Sequence, residues 1–137
     1  MKKIILVITA TFLLNFVWEN AQAVLYQPHG DAWGTLVRCS TAAFGDVVLV
    51  GGIYFLLSIF LSSWRWFEVM NTKKWIALSV VSVAVAVGVE WWGLASLRWA
   101  YSDSMAIIPF VGVGVAPVAQ LLLLNPLILF VSKKISL

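Results

Sequence analysis

Four long apolar runs, roughly residues 4–25, 37–61, 75–97 and 107–131, fill most of this chain and fix what it can become. Crossing a hydrocarbon core of about 30 Å takes about 20 helical residues. Each run is helix length and continuous, without the short alternating segments of a barrel, so backbone hydrogen bonds must close within each segment. The expectation is an all-α protein, a four-helix transmembrane bundle forming a single domain over residues 1–137. With 62% hydrophobic and 11% charged residues, the chain leaves no room for a soluble domain with separate chemistry. Short loops make sequential helices antiparallel neighbours.

Charge sets the orientation. Lys2, Lys3, Arg65, Lys73, Lys74, Lys133 and Lys134 fall on one side of the runs, against Arg38 and Arg98 on the other. By the positive-inside rule both termini and the loop at 62–74 are cytoplasmic. Lysine-flanked short spans suit a bacterial plasma (inner) membrane. Trp64, Trp66 and Trp75 then mark the inner interface, and Trp33, Trp91, Trp92, Trp99 and Tyr101 the outer one. Residues 1–23 also resemble a secretory signal, with Lys2 and Lys3, an apolar run and Ala21-Gln22-Ala23 before a possible cut. The length of that run, and Asn15 and Glu19 within it, favour a retained span.

Three acids interrupt the apolar runs: Glu19, Asp46 and Glu90. At 1.5 Å of rise per residue, Glu19 and Glu90 each lie roughly 22 Å from the cytoplasmic start of their spans, and Asp46 lies about 13 Å deep from outside. All three reach one layer in the outer-leaflet half. A charge at that depth costs several kcal/mol, so such residues face a bundle interior or a wet cavity and mark a site. Asn15, Glu19 and Gln22 share one face of the first span at i, i+4, i+7, with Tyr26 continuing it. Ser79, Ser82, Ala86, Glu90, Gly93 and Leu97 form a stripe of small and polar residues on the third, the composition that lets membrane helices approach closely. The second span offers Cys39, Ala42 and Ala43 near Asp46. The fourth carries Pro109, Gly112, Gly114 and Pro117 before Gln120, a cluster expected to loosen the helix and free carbonyls toward a cavity or cation.

Three anions cannot share a dry pocket without compensation. Arg38 and Arg98 are the candidate counter-charges, each eight residues from an acid on its own helix and so better placed to pair across helices. Trp91 and Trp92 beside Glu90 could present an aromatic wall to a cation, although paired interfacial tryptophans are more often belt residues. The bland reading makes the acids, Asn15, Gln22 and Gln120 interhelical glue, contributing about 1 to 2 kcal/mol per hydrogen bond. Three acids at one depth ask for more.

Other chemistry is excluded or weakly signalled. The basic residues do not form a nucleic-acid stripe. One cysteine and one histidine exclude an internal disulfide, the usual zinc ligand sets and bis-His haem, and no cofactor or metal is expected. His29 reads as part of a solvated turn, Cys39 as packing, and Asn125 before Pro126 as satisfying local backbone. No nucleophile elbow, phosphate loop, HExxH or CxxC occurs.

The segment Glu19-Asn20-Ala21-Gln22-Ala23-Val24-Leu25, with a proline-bearing last span, resembles the EXPERA-type four-helix membrane proteins, the emopamil-binding and sigma-2-receptor class. The resemblance implies cytoplasmic termini and ligand recognition by Glu19, with Asp46 or Glu90. The chain lacks an intramembrane histidine, which counts against the proton-shuttling isomerase chemistry of some members. It is similar in size to small multidrug transporters, which carry a membrane-embedded Glu on the first span, but the late Glu19 and the additional Asp46 and Glu90 depart from them. The expected function is binding of a hydrophobic or amphipathic, lipid-like or cationic molecule. Glu19 and Glu90 would recognise its polar end, with Asp46, Asn15, Gln22, Gln120, Trp91 and Trp92 around it. A proton- or ion-coupled transporter, plausibly a homodimer, and a non-catalytic subunit of a larger membrane complex remain open. An isomerase using carboxylates of split acidity is the least unlikely enzyme.

Overall fold

The computed structural model describes residues 2–27 and 30–136, without the side chains of Lys3 and Ser136. His29 and Pro28 lie outside the described residues, and the solvated turn expected of them with it. Four helices form: α1 (Lys2–Gln22), α2 (Ala32–Phe60), α3 (Thr72–Ala95) and α4 (Val115–Ser136). All four are long and apolar enough to cross a membrane. A single 3-10 turn, Ala23–Leu25, ends α1. Two short strands, β1 (Tyr26–Gln27) and β2 (Ala100–Tyr101), pair antiparallel, with Tyr26 opposite Tyr101.

Helix starts follow their caps. Asp31 accepts from the Gly34 N–H at 2.9 Å, so α2 begins five residues before the apolar run does. Asn71 accepts from the Lys74 N–H at 3.0 Å and starts α3 in the same way. α3 stops at Ala95, and Leu97, expected on its inner stripe, has φ 57° and is almost fully exposed.

The largest departure from the sequence reading is α4. Residues 107–114 are not a loosened helix but a tight hairpin: the Ile108 N–H donates to the Val113 carbonyl at 2.8 Å, and the Val115 N–H to the Ala106 carbonyl at 2.8 Å. Ile107 and Gly114 face each other across it. Pro109 lacks the donor a helix needs, and Phe110 and Gly112 take left-handed backbone at φ 67° and 73°, which no helix accommodates. The Ala106, Ile108 and Val113 carbonyls are used within the hairpin, and that of Val111 is taken by the Trp91 indole. Pro117 falls in the first turn of α4, where its missing N–H costs nothing.

The apolar core sits between α2, α3 and α4, on Ile53, Leu57, Leu78, Ala86, Val118, Leu121 and Leu129. Trp66, expected at the inner interface, is instead turned inward from the loop between α2 and α3 against Tyr54 and Phe67 and is 1% exposed. α1 is built the other way round. Its buried residues are Thr11, Asn15 and Gln22, while Ile4, Ile5, Leu13 and Val17 are more than half exposed. It meets α4 through Asn15, Glu19 and Gln22 on Gln120 and α2 in part through Phe12 on Phe44, at 4.6 Å between ring centres, while much of its apolar surface faces outward.

Candidate functional site

Glu19, Asp46 and Glu90 line one chamber of about 800 Å³, together with Gln22, Gln120, Trp92, Arg38 and Arg98. The three acids do converge, but they are held by two different clusters.

The first cluster is made of amides. The Gln120 Nε2 lies 2.8 Å from Asp46 Oδ2, 3.0 Å from Glu19 Oε1 and 3.0 Å from Asn15 Oδ1. Gln22 Nε2 donates to Gln120 Oε1 at 3.0 Å and to Glu19 Oε1 at 3.1 Å. Trp18 completes the set by donating to Gln22 Oε1 at 3.1 Å. The i, i+4, i+7 spacing of Asn15, Glu19 and Gln22 lets one residue of α4 reach all three. An amide nitrogen carries two hydrogens, yet three acceptor oxygens surround that of Gln120. Because Gln22 already supplies Glu19 Oε1, the two hydrogens of Gln120 suffice for Asp46 and Asn15, and among the described residues no cationic side chain lies within ion-pair distance of Glu19 or Asp46.

The second cluster is aromatic. Glu90, 6% exposed, accepts from Trp99 Nε1 at 3.3 Å, from the Tyr26 hydroxyl at 3.3 Å and from the Tyr101 hydroxyl. Tyr101 in turn accepts from the Gly114 N–H at 3.0 Å, which ties the box to the hairpin before α4. Pairing of β1 with β2 delivers both tyrosines, their rings edge to face at 5.5 Å. Gly93 makes room for Trp99: a Cβ there would lie 1.9 Å from the indole Cζ2. Burial, then the neighbouring Glu90, pushes both tyrosine hydroxyls well above their ordinary acidity range, so both remain donors.

The arginines do not pair with the acids. Among the described residues the one ion pair is Arg65 with Glu68 at 2.7 Å, far from the chamber in sequence. Arg98 lies over the Trp92 ring at 4.5 Å, and Arg38 reaches Thr35 at 3.4 Å. Both arginines are exposed at the chamber wall. Asn15 is wholly buried beneath the chamber rather than lining it, and donates to the Thr11 carbonyl at 2.9 Å. Trp91 is not a wall residue: it is half exposed and its indole donates to the Val111 carbonyl at 2.8 Å, bracing the hairpin. Asn125 does not serve local backbone but donates across to Ser82 Oγ at 2.7 Å. Cys39 is buried in the chamber wall.

Sequence reasoning assigned Trp99 and Tyr101 to the interface, and so missed the partners of Glu90. Their i, i+2 spacing, which puts both on one side of an extended segment, was the available signal. Among the described residues no three His, Cys, Asp or Glu side chains are grouped to hold a metal ion. What the arrangement offers is a roomy cavity lined by three acids, none of them in an ion pair among the described residues. The chain matches no protein-family model, no curated protein and no solved structure, so the chemistry of the chamber is the guide to what it does.

Proposed function

We propose that the chain is an integral membrane protein, of bacterial plasma membrane type with both termini cytoplasmic, that binds the cationic end of a hydrophobic or amphipathic molecule in the chamber. Support for insertion is the apolar exterior, on which Val17, Val48, Phe60 and Val80 are all more than half exposed. Such a surface is an aggregation liability in water and ordinary in lipid. The single observation that carries the ligand reading is that Glu19 and Asp46 share one amide donor at the wall of a cavity of drug-sized volume, with no cationic side chain among the described residues in ion-pair reach of either. A protonated amine supplies the missing positive charge. Trp92 and the apolar wall would then cover its hydrocarbon part. The reading agrees with the EXPERA-type resemblance and extends it to Gln120.

The test is binding of a lipophilic tertiary amine and of its neutral carbon isostere to the purified protein. The amine should bind more tightly than the isostere. Glu19→Gln and Asp46→Asn should each weaken it by about thirtyfold, the effect of removing one partner from a buried charge pair worth about 2 kcal/mol. Equal binding of amine and isostere, or wild-type affinity in both variants, would sink the proposal.

Proton- or ion-coupled transport is the second reading, favoured by the chain of hydrogen bonds running from Glu19 through Gln120 and Asn15 to Thr11, toward the cytoplasmic half. Flux into liposomes that depends on pH and vanishes in Glu19→Gln would select it.

A further inference from the structure

On the other side of the Asn15 layer lies a second cavity, of about 350 Å³, with a different character. Ile4 and Ile8 of α1, Val50 of α2 and Leu129 of α4 line it, and the loop residues Trp66 and Phe67 close one end. Ile4 and Ile8 are also 65% and 49% exposed, so the α1 wall of the cavity is continuous with the apolar outer surface.

Two further observations identify an occupant. The indole N–H of Trp66 is buried without an acceptor, the one such side-chain atom among the described residues. A buried donor left unmet costs about 1 to 3 kcal/mol. This end of the bundle is also strongly basic: Lys2, Arg65, Lys73, Lys74, Lys133 and Lys134 stand against one acid, Glu68, which Arg65 already binds. Lys74 is committed to the Trp66 and Val69 carbonyls at 2.8 and 2.6 Å, holding the loop over the cavity. Lys133 and Lys134 extend α4 past Ser132, a lining residue, with the Lys134 Nζ over the Phe130 ring at 5.0 Å, and Lys2 precedes Ile4 by two. An apolar cavity open to the lipid side, a basic collar and an unmet N–H near the interface match an acyl chain, an anionic headgroup and an ester carbonyl respectively.

We propose that the inner cavity seats one acyl chain of an anionic glycerophospholipid, with the headgroup on the lysine collar and an ester carbonyl meeting the Trp66 indole. The inference rests on membrane insertion and is independent of what binds the chamber.

Native mass spectrometry of delipidated protein titrated with phosphatidylglycerol and with phosphatidylcholine of identical chains tests it. Wild type should retain one phosphatidylglycerol in preference to phosphatidylcholine, by about thirtyfold, the discrimination expected of two lysines near an anionic headgroup. Lys133→Gln with Lys134→Gln should abolish the preference. Gly51→Trp and Val47→Trp, which fill the cavity from two positions on α2, should each lose the lipid. Gly51 has open space where its Cβ would stand, and circular dichroism identifies any variant that fails to fold. Trp66→Phe should weaken retention while keeping the ring. Equal retention of the two lipids by wild type, or undiminished retention in every folded cavity-filling variant, overturns the proposal. Lipid retention by Glu19→Gln separates this result from the fate of the amine reading.

Discussion

Glu19 with Asp46, and Glu90, face the same chamber from opposite kinds of scaffold. The first pair is held by amide side chains that stand on α1 and α4, inside regular helix, so the geometry is set by helical spacing and the approach of two helices. Glu90 is held by three aromatic donors, two of them on paired strands of two residues each and the third just after α3. In the helical cluster Glu19 and Asp46 share one amide donor, whereas the aromatic cluster supplies three donors to one carboxyl group. On the proposed function, the less fully enclosed pair recognises the ligand and Glu90 closes the chamber.

The sharpest way to break this contrast is Gln120→Leu. Removing the shared amide leaves Glu19 and Asp46 without their common donor and should cost roughly 3 kcal/mol or more in thermal unfolding in micelles. Tyr101→Phe takes one donor from Glu90 and should cost about 2 kcal/mol, within the range for a hydrogen bond to a charged group. If the clusters are independent, the double variant is additive within about 0.5 kcal/mol, and a larger coupling would mean that they act as one unit. Gly93→Ala forces the Trp99 indole away and should cost about 1 to 2 kcal/mol while leaving binding at Glu19 intact, as tryptophan fluorescence and the amine titration would show. The smallest effect is in pH. Because folding raises the pKa of Tyr26 and Tyr101, the stability they contribute is full below about pH 10 and falls as pH rises further. Tyrosinate absorbance appearing first near the ordinary phenol value would contradict the closed aromatic box.

Much of the helical side was legible in advance because helices repeat. The spacing of Asn15, Glu19 and Gln22, and the inward stripe of Ser82, Ala86, Glu90 and Gly93, are periodicities that survive into the fold. The aromatic side was not legible, since Tyr26, Trp99 and Tyr101 meet through strand pairing between segments more than 70 residues apart, and no local pattern announces such a pairing. The hairpin at 107–114 was hidden for a related reason. Its apolar composition imitates a span, and only the left-handed turn at Phe110 and Gly112 separates the two. The arginines misled because eight-residue offsets suggested partners across the bundle, while Trp92 offered Arg98 a nearer one.

The inverted make-up of α1 bears on how the molecule is assembled. Asn15 and Glu19 stand on α1, but Gln120, which binds both, stands on α4 more than 100 residues later. Until α4 has docked, Asn15 has only the Thr11 carbonyl and Glu19 only Gln22 within their own helix. The chamber is consequently completed only when α4 arrives, and a chain truncated before Gln120 would leave α1 loosely associated and exposed to quality-control proteolysis.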